Sequence, residues 1–202
     1  MCIRDRYKRE IGSFFTGMTG YMVIFVYLLI NSLFMWILPG EWNVLDSGYA
    51  SLESLFIISP WVFLFLVPAV TMRMLAEEKR SGTLELLLSR PVSEGQIIYA
   101  KYFASVTLVL LALLPCIIYY FSVSMLGDTG GNIDSGATLG ASLGLFFLAA
   151  VYAAAGIFAS TLSSNQVVAF IVTVISGIIL FAGFDAFAML PGLKKIDELL
   201  VR

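Results

Sequence analysis

Residues 139–162 read LGASLGLFFLAAVYAAAGIFASTL, a run that contains no Asp, Glu, Lys or Arg. A helix that crosses a hydrocarbon core of about 30 Å needs roughly 20 consecutive apolar residues, and this run is long enough. Its apolar residues do not alternate with polar ones, as they would in a strand of a membrane barrel. The run therefore predicts a membrane-spanning helix.

Four other runs have the same character: Tyr21–Leu38, Leu55–Met72, Ile97–Leu126 and Val167–Leu190. The composition agrees, because the chain is 59% hydrophobic and 13% charged, whereas soluble domains carry about 25% charged residues. In lipid, only helices and closed barrels satisfy all their backbone hydrogen bonds. We therefore expect an all-α integral membrane protein, a polytopic helical bundle whose transmembrane domain covers residues 21–190.

The composition excludes several function classes. The 202 residues include no His and two Cys, so we expect neither a metal site nor a disulfide framework. The spans show no Ser–Lys or Asp–Asp pair that would suggest catalysis within the membrane. The sequence also lacks a basic stripe with interleaved aromatic residues, which is typical of proteins that bind nucleic acid. We therefore expect neither an enzyme nor a nucleic-acid-binding protein.

Lys and Arg gather ahead of the first run and between the second and third, whereas loops 39–54 and 127–138 contain neither. Cytoplasmic loops are enriched in these residues. We therefore expect residues 1–20, an N-terminal segment with an interfacial helix, and segment 73–96 to be cytoplasmic. The two loops and, by parity, the tail 191–202 are then external, although the tail carries two Lys and one Arg.

The spans contain three groups of candidate residues. Polar residues within spans are candidate substrate contacts, since placing them in lipid is costly, and here they are Asn31 and Asp185. Pro60 and Pro68 predict a bend in the second span. Small residues occur in pairs four positions apart along 139–162, a spacing that lets helix backbones approach closely. They form either a packing face within the chain or a dimer or transport-path face: Gly140, Gly144, Ala149, Ala153, Gly156 and Ser160.

Between the second and third runs, residues 76–96 read AEEKRSGTLELLLSRPVSEGQ. The helix of the second run is expected to continue through AEEKR, and the Ser-Gly-Thr motif then breaks it and caps a new helix. Leu84–Arg90 forms about two turns, which Pro91 ends. Ser93–Gln96 fits a capping box at the start of the third span. The segment therefore predicts three helical pieces with defined breaks.

The short helix in this segment has Leu84, Leu87 and Leu88 on one face, by their i, i+3, i+4 spacing. Such an apolar face at the membrane surface can be buried in one of three ways. The first is in the lipid interface, which its acidic neighbours do not favour. The others are against the protein's own helices or in the groove of a partner protein. Periodicity alone leaves these alternatives open.

The same segment resembles the signature of ABC-2 type transporter permeases, an acidic–basic cluster followed by G-T-L-E-x-L-L and P-V-S. The matching residues are Gly82-Thr83-Leu84-Glu85, Leu87-Leu88 and Pro91-Val92-Ser93. Other stretches, among them YKREIGSFF at Tyr7–Phe15 and GIFASTLSSNQVVAF at Gly156–Phe170, resemble the gliding-motility-associated ABC permease subunit. The resemblance extends from about Tyr7 to Met189.

The resemblance implies a permease that couples ATP hydrolysis by a separate ATPase subunit to substrate movement across the membrane. In this family the segment between spans two and three holds the coupling helix, which contacts the ATPase. The chain has no G-x-x-x-x-G-K motif, so ATP and Mg²⁺ are expected on the partner and no cofactor on this chain. The residues assigned to ATPase docking are Glu77, Glu78, Lys79, Arg80, Gly82, Thr83, Leu84, Glu85, Leu87, Leu88 and Pro91.

The resemblance also implies a second permease chain, as a homo- or heterodimer, an auxiliary gliding-motility membrane protein, and the cell inner membrane as the location. ABC-2 permeases generally have six spans, so we expect a sixth to be missing from a truncated chain. Residues 1–6 resemble an adapter-derived start, which agrees with that expectation. The alternative function is a non-transporting membrane anchor or scaffold whose cytoplasmic loop binds a partner protein.

Overall fold

The computed structural model describes residues 3–48, 50–82, 94–127 and 133–188, and almost all of these residues are helical. The described α-helices are α1 (Ile3–Thr16), α2 (Thr19–Ser32), α3 (Val44–Ser47), α4 (Glu53–Arg80), α5 (Glu94–Leu113), α6 (Cys116–Leu126), α7 (Ser135–Leu162) and α8 (Gln166–Ala188). A π-helical turn, Leu33–Ile37, extends α2.

Five stretches of the described residues are long and apolar enough to cross a membrane. They are Thr19–Ile37, Glu53–Arg80, Gly95–Leu126, Ser135–Leu162 and Gln166–Gly183. Within the described ranges the chain forms no strand. The prediction of a polytopic all-α bundle is therefore confirmed.

Helix α4 lies at the centre of the bundle. It packs along α7 and also contacts α8 and α2. Its side chains Phe63, Leu64 and Val67 are buried, and the Phe63 ring stacks on that of Tyr27 in α2 with centroids 4.6 Å apart. The helix continues through both of its prolines.

The end of α4 extends beyond the predicted second span. It includes the charged turn Glu77–Arg80 and stops where the sequence predicts a break. The backbone N–H of Ser81 donates to the carbonyl of Glu77 at 2.9 Å. Gly82 has a φ of 69°, the left-handed conformation that favours glycine after a helix.

The predicted third span consists of two helices. α5 ends at Leu113, α6 begins at Cys116, and Pro115 lies at the junction. Proline has no N–H to donate and its ring clashes with the carbonyl four residues earlier, so it bends or interrupts a helix, and at this junction the helix is interrupted. The long apolar run predicted one continuous span because apolarity by itself does not report this interruption.

Helix α1 packs chiefly against α5. The Tyr7 hydroxyl and Thr107 Oγ1 form a hydrogen bond of 2.7 Å between the two helices. Ile11 and Phe14 pack on a small cluster formed by buried residues of α4, α5 and α7. The opposite face of α1 is polar and exposed, and it carries Lys8 and Arg9.

Each of the two loops contains an Asp-Ser-Gly motif, at residues 46–48 and 134–136, a composition typical of turns and helix caps. Asp134 caps α7, since its Oδ1 accepts from the backbone N–H groups of Gly136 and Ala137 at 2.9 and 3.1 Å. In the first loop Asn43 caps α3, while Asp46 Oδ2 accepts from the N–H of Gly40 at 3.2 Å.

Candidate functional site

The ends of α4 and α5 that flank segment 83–93 meet α1 and the last turn of α7 at one end of the bundle. We refer to this region, built from residues 3–16, 71–82, 94–107 and 156–165, as the charged end. Ion pairs and hydrogen bonds join all four helices there. Helices of the charged end flank segment 83–93, to which the resemblance assigns ATPase docking. The geometry of the charged end therefore decides which helices a docked ATPase would act on.

A buried lysine joins three helices at the charged end. Lys101 of α5 has a side chain only 2% exposed, and its Nζ lies 2.7 Å from Glu78 Oε1 of α4 and 3.3 Å from Glu10 Oε1 of α1. An isolated buried ammonium is very costly, and the two carboxylates offset that cost. We refer to Lys101, Glu78 and Glu10 as the lysine clamp.

Ser160 ties the end of α7 to α4. Its Oγ accepts from the backbone N–H groups of Leu75 and Ala76 at 3.1 and 2.9 Å, and lies 3.2 Å from the carbonyl of Met72, to which it donates. One turn later, Lys79 Nζ donates to the carbonyl of Thr161. These contacts fix the last turns of α4 against α7.

Helices α4 and α7 are tightly packed at Gly156. A Cβ atom at this position would lie 2.0 Å from Thr71 Oγ1 and 2.8 Å from Thr71 Cβ. Thr71 is fully buried and donates to the carbonyl of Val67 at 3.0 Å. Only glycine fits here, because a side chain on α7 would push the two helices apart.

The predicted docking residues fall into two groups. Glu77, Lys79, Arg80 and Gly82 are exposed at the charged end, whereas Glu78 is half-buried within the lysine clamp. The remaining members lie outside the described residues: Thr83, Leu84, Glu85, Leu87, Leu88 and Pro91.

The predicted small-residue face also divides in two. Toward the charged end it is buried, with Ala149, Ala153, Gly156 and Ser160 in the protein interior. At the opposite end Gly140 and Gly144 are exposed, and a Cβ at either position would meet no atom within 4 Å. The buried half therefore packs within the chain, and the other half leaves open space beside α7.

Asn31, predicted as a substrate contact, belongs to a buried polar network with Tyr27 and Ser59. Its Nδ2 donates to the carbonyl of Tyr27 at 2.9 Å, and its Oδ1 accepts from Ser59 Oγ at 3.1 Å. The Tyr27 hydroxyl and Ser59 Oγ are 2.8 Å apart. Asn31 is fully buried and its polar atoms are satisfied inside the protein, directly before the π-helical turn. The side chain of Asp185 lies outside the described part of the structure.

From the sequence, Lys101 is one more positive charge beside segment 73–96, inside the predicted span Ile97–Leu126. Its place among apolar residues near the start of a span was the available signal, since an ionisable group in such a position requires a partner. Glu10 and Glu78 could not be identified as those partners, because they lie on other helices. Ser160 was expected as a small residue, and its hydrogen bonds to α4 were not.

The comparison with known families gives one match. The family model described as ABC-2 family transporter protein matches residues 43–201. No curated protein matches the chain, and no solved structure does. The matched region includes α3 through α8 and segment 83–93, which is well over half of the chain. The chain therefore belongs to the ABC-2 family of transporter proteins.

Proposed function

We propose that this chain is the permease subunit of an ABC-2 type transporter in which a separate ATPase subunit docks on segment 83–93. ATP hydrolysis in that subunit then moves a substrate across the membrane. The observation that carries the proposal is how the two helices that flank the segment are held: the lysine clamp joins them to each other, and Ser160 fixes α4 to α7. A force applied to the segment therefore reaches the bundle.

The exposed residues of the charged end determine which charges the docking surface presents to a partner. Glu77, Lys79 and Arg80 are exposed beside the segment and supply charges of both signs, which orient a partner more than they add affinity. Leu87 and Leu88 supply the apolar contact. Glu78 differs from its neighbours, because its pairing with Lys101 assigns it to holding the helices together.

The charged end is cytoplasmic in this proposal. Lys8, Arg9, Lys79 and Arg80 all lie exposed there, and positive residues favour the cytoplasmic side. The first loop, at the opposite end, carries acids and neither Lys nor Arg. The resemblance to gliding-motility permeases extends the proposal to the inner membrane, to a second permease chain and to an auxiliary gliding-motility membrane protein.

The test uses the full chain in lipid nanodiscs with its cognate ATPase subunit. Leu87→Asp and Leu88→Asp are expected to abolish both co-purification and stimulation of ATP turnover, because they place a carboxylate in an apolar contact. Leu45→Asp is the matched control, since Leu45 is 60% exposed in α3 at the opposite end. The proposal fails if the Leu87 and Leu88 variants bind and stimulate like the wild type. Binding without stimulation, in the wild type, would instead indicate a scaffold.

A further inference from the structure

The lysine clamp includes a helix that the docking proposal does not use. Glu78 lies in the last turn of α4, just before segment 83–93, and Lys101 lies in the second turn of α5, just after it. Their contact of 2.7 Å closes the base of the segment. Glu10 brings α1 to the same ammonium group at 3.3 Å. One cation thus holds both ends of the segment and the N-terminal helix.

The charges of the lysine clamp hold α1, α4 and α5 together. Lys101 is 2% exposed, and the side chains of Glu10 and Glu78 are only 19% and 21% exposed. Without the ammonium group, two carboxylates would remain near each other in a poorly solvated place, where like charges repel strongly. Separation of α1 from the other two helices would likewise leave the lysine with less compensation. The three helices are therefore held to move together at the lysine clamp.

The other contacts of α1 favour the same behaviour. The Tyr7–Thr107 hydrogen bond lies near the clamp on α5. Ile11 and Phe14 pack on the cluster that contains Met74 of α4 and buried residues of α5. Since α1 packs chiefly on α5 and reaches α4 through the lysine clamp and this cluster, a tilt of those two helices displaces it as well.

We infer that Lys101 is a positioning residue that couples α1 to both ends of segment 83–93, so that α1 moves with the ATPase-docking segment. This inference rests on the proposed function. Lys101 contacts neither ATP nor substrate in this scheme, and it acts through Glu78 and Glu10. The interfacial helix α1, with Lys8 and Arg9 on its exposed face, becomes a third moving part beside the two spans.

The first measurement separates docking from coupling. For the full chain in nanodiscs, we would determine the Kd of the ATPase subunit and the maximal stimulation of its ATP turnover. Glu10→Gln keeps the Lys101–Glu78 pair and changes none of the residues assigned to docking, so Kd is expected to stay within about twofold. Maximal stimulation is expected to fall about fivefold or more, the size of an ordinary coupling effect. Lys101→Met is expected to lower maximal stimulation to the same extent, and Lys101→Arg is expected to retain most of it. The exposed control Lys8→Met is expected to change neither Kd nor maximal stimulation.

The second measurement needs no ATPase. Amide hydrogen exchange reports local opening, and Lys101→Met is expected to raise exchange in α1, in the last turn of α4 and in the first turns of α5 together. Glu10→Gln is expected to raise it in α1 alone. If α1 exchanges in Lys101→Met as in the wild type, Lys101 does not hold α1 to α4 and α5, and the inference is overturned.

The two failures are distinguishable. If the wild type neither binds nor stimulates the ATPase, the proposed function fails and the inferred coupling of α1 to the docking segment fails with it. If binding and stimulation hold in the wild type and Glu10→Gln retains both in full, the proposed function stands and the role of Lys101 is refuted.

Discussion

Gly156→Ala should destabilise the bundle, because it adds an atom where α7 is tightly packed against Thr71 of α4. The new Cβ would lie 2.0 Å from Thr71 Oγ1 and 2.8 Å from Thr71 Cβ. The Thr71 hydroxyl is buried and bonded to its own helix, so it has little freedom to rotate away. Overpacking of this kind costs about 1–3 kcal/mol. Alanine in place of glycine in a helix returns about 0.5–1 kcal/mol, which would mask part of that cost.

Gly144→Ala is the matched control, since Gly144 lies in the same helix and a Cβ there meets nothing within 4 Å. The difference between the two variants removes the helix-propensity term and leaves the overpacking cost of about 1–3 kcal/mol. The assay is denaturant unfolding of the purified chain in detergent micelles. Thr71→Ala removes the atom at 2.0 Å, so the double variant Thr71→Ala/Gly156→Ala should recover part of the loss. Equal stability of Gly156→Ala and Gly144→Ala would refute a tight α4–α7 contact.

Three further predictions concern polar contacts and orientation. Ser160→Ala leaves two backbone N–H groups of α4 without their acceptor and should lower the free energy of unfolding by about 1–3 kcal/mol. The control Ser142→Ala loses one hydrogen bond within its own helix and should lower the free energy of unfolding less. Equal losses in the two variants would contradict the Ser160 geometry. Asn31→Ala breaks the buried polar network and should cost about 1–3 kcal/mol in the same assay, whereas an unchanged midpoint would show that the network contributes nothing. The orientation with the charged end in the cytoplasm can be tested by labelling single cysteines, in a cysteine-free background, with an impermeant maleimide. Ser164→Cys, at the charged end, should react only in inverted vesicles, and Glu41→Cys, in the first loop, should react only in intact cells. The reverse pattern would overturn this orientation.

The fold could be predicted from the sequence because lipid imposes a simple requirement on length and apolarity. Each predicted span corresponds to a helical stretch, and the break after Arg80 follows from the Ser-Gly pair. The π-helical turn Leu33–Ile37 could not be predicted, since nothing in LFMWI distinguishes it from an ordinary turn of helix. The break at Pro115 was visible as a proline, but prolines at positions 60 and 68 are accommodated within α4, so residue type alone does not decide.

The candidate site could be predicted only in part, because its contacts join distant parts of the chain. Small residues along α7 indicated a close approach without identifying the neighbour: Gly156 meets Thr71, while Gly144 faces open space. Lys101 was visible as an unusual charge, yet its two carboxylates come from α1 and α4. Side-chain periodicity reports one helix at a time, and these partners are set by how helices pack.

The most direct test of the central claim is a cross-linking measurement from segment 83–93 to the ATPase subunit. A photoreactive amino acid at Leu87 would be compared with one at Leu45, which is exposed at the opposite end of the bundle, in membranes that contain both subunits. We expect an adduct with the ATPase subunit from position 87 and none from position 45. An adduct from position 45, or none from either position while the subunits co-purify, would contradict docking on this segment.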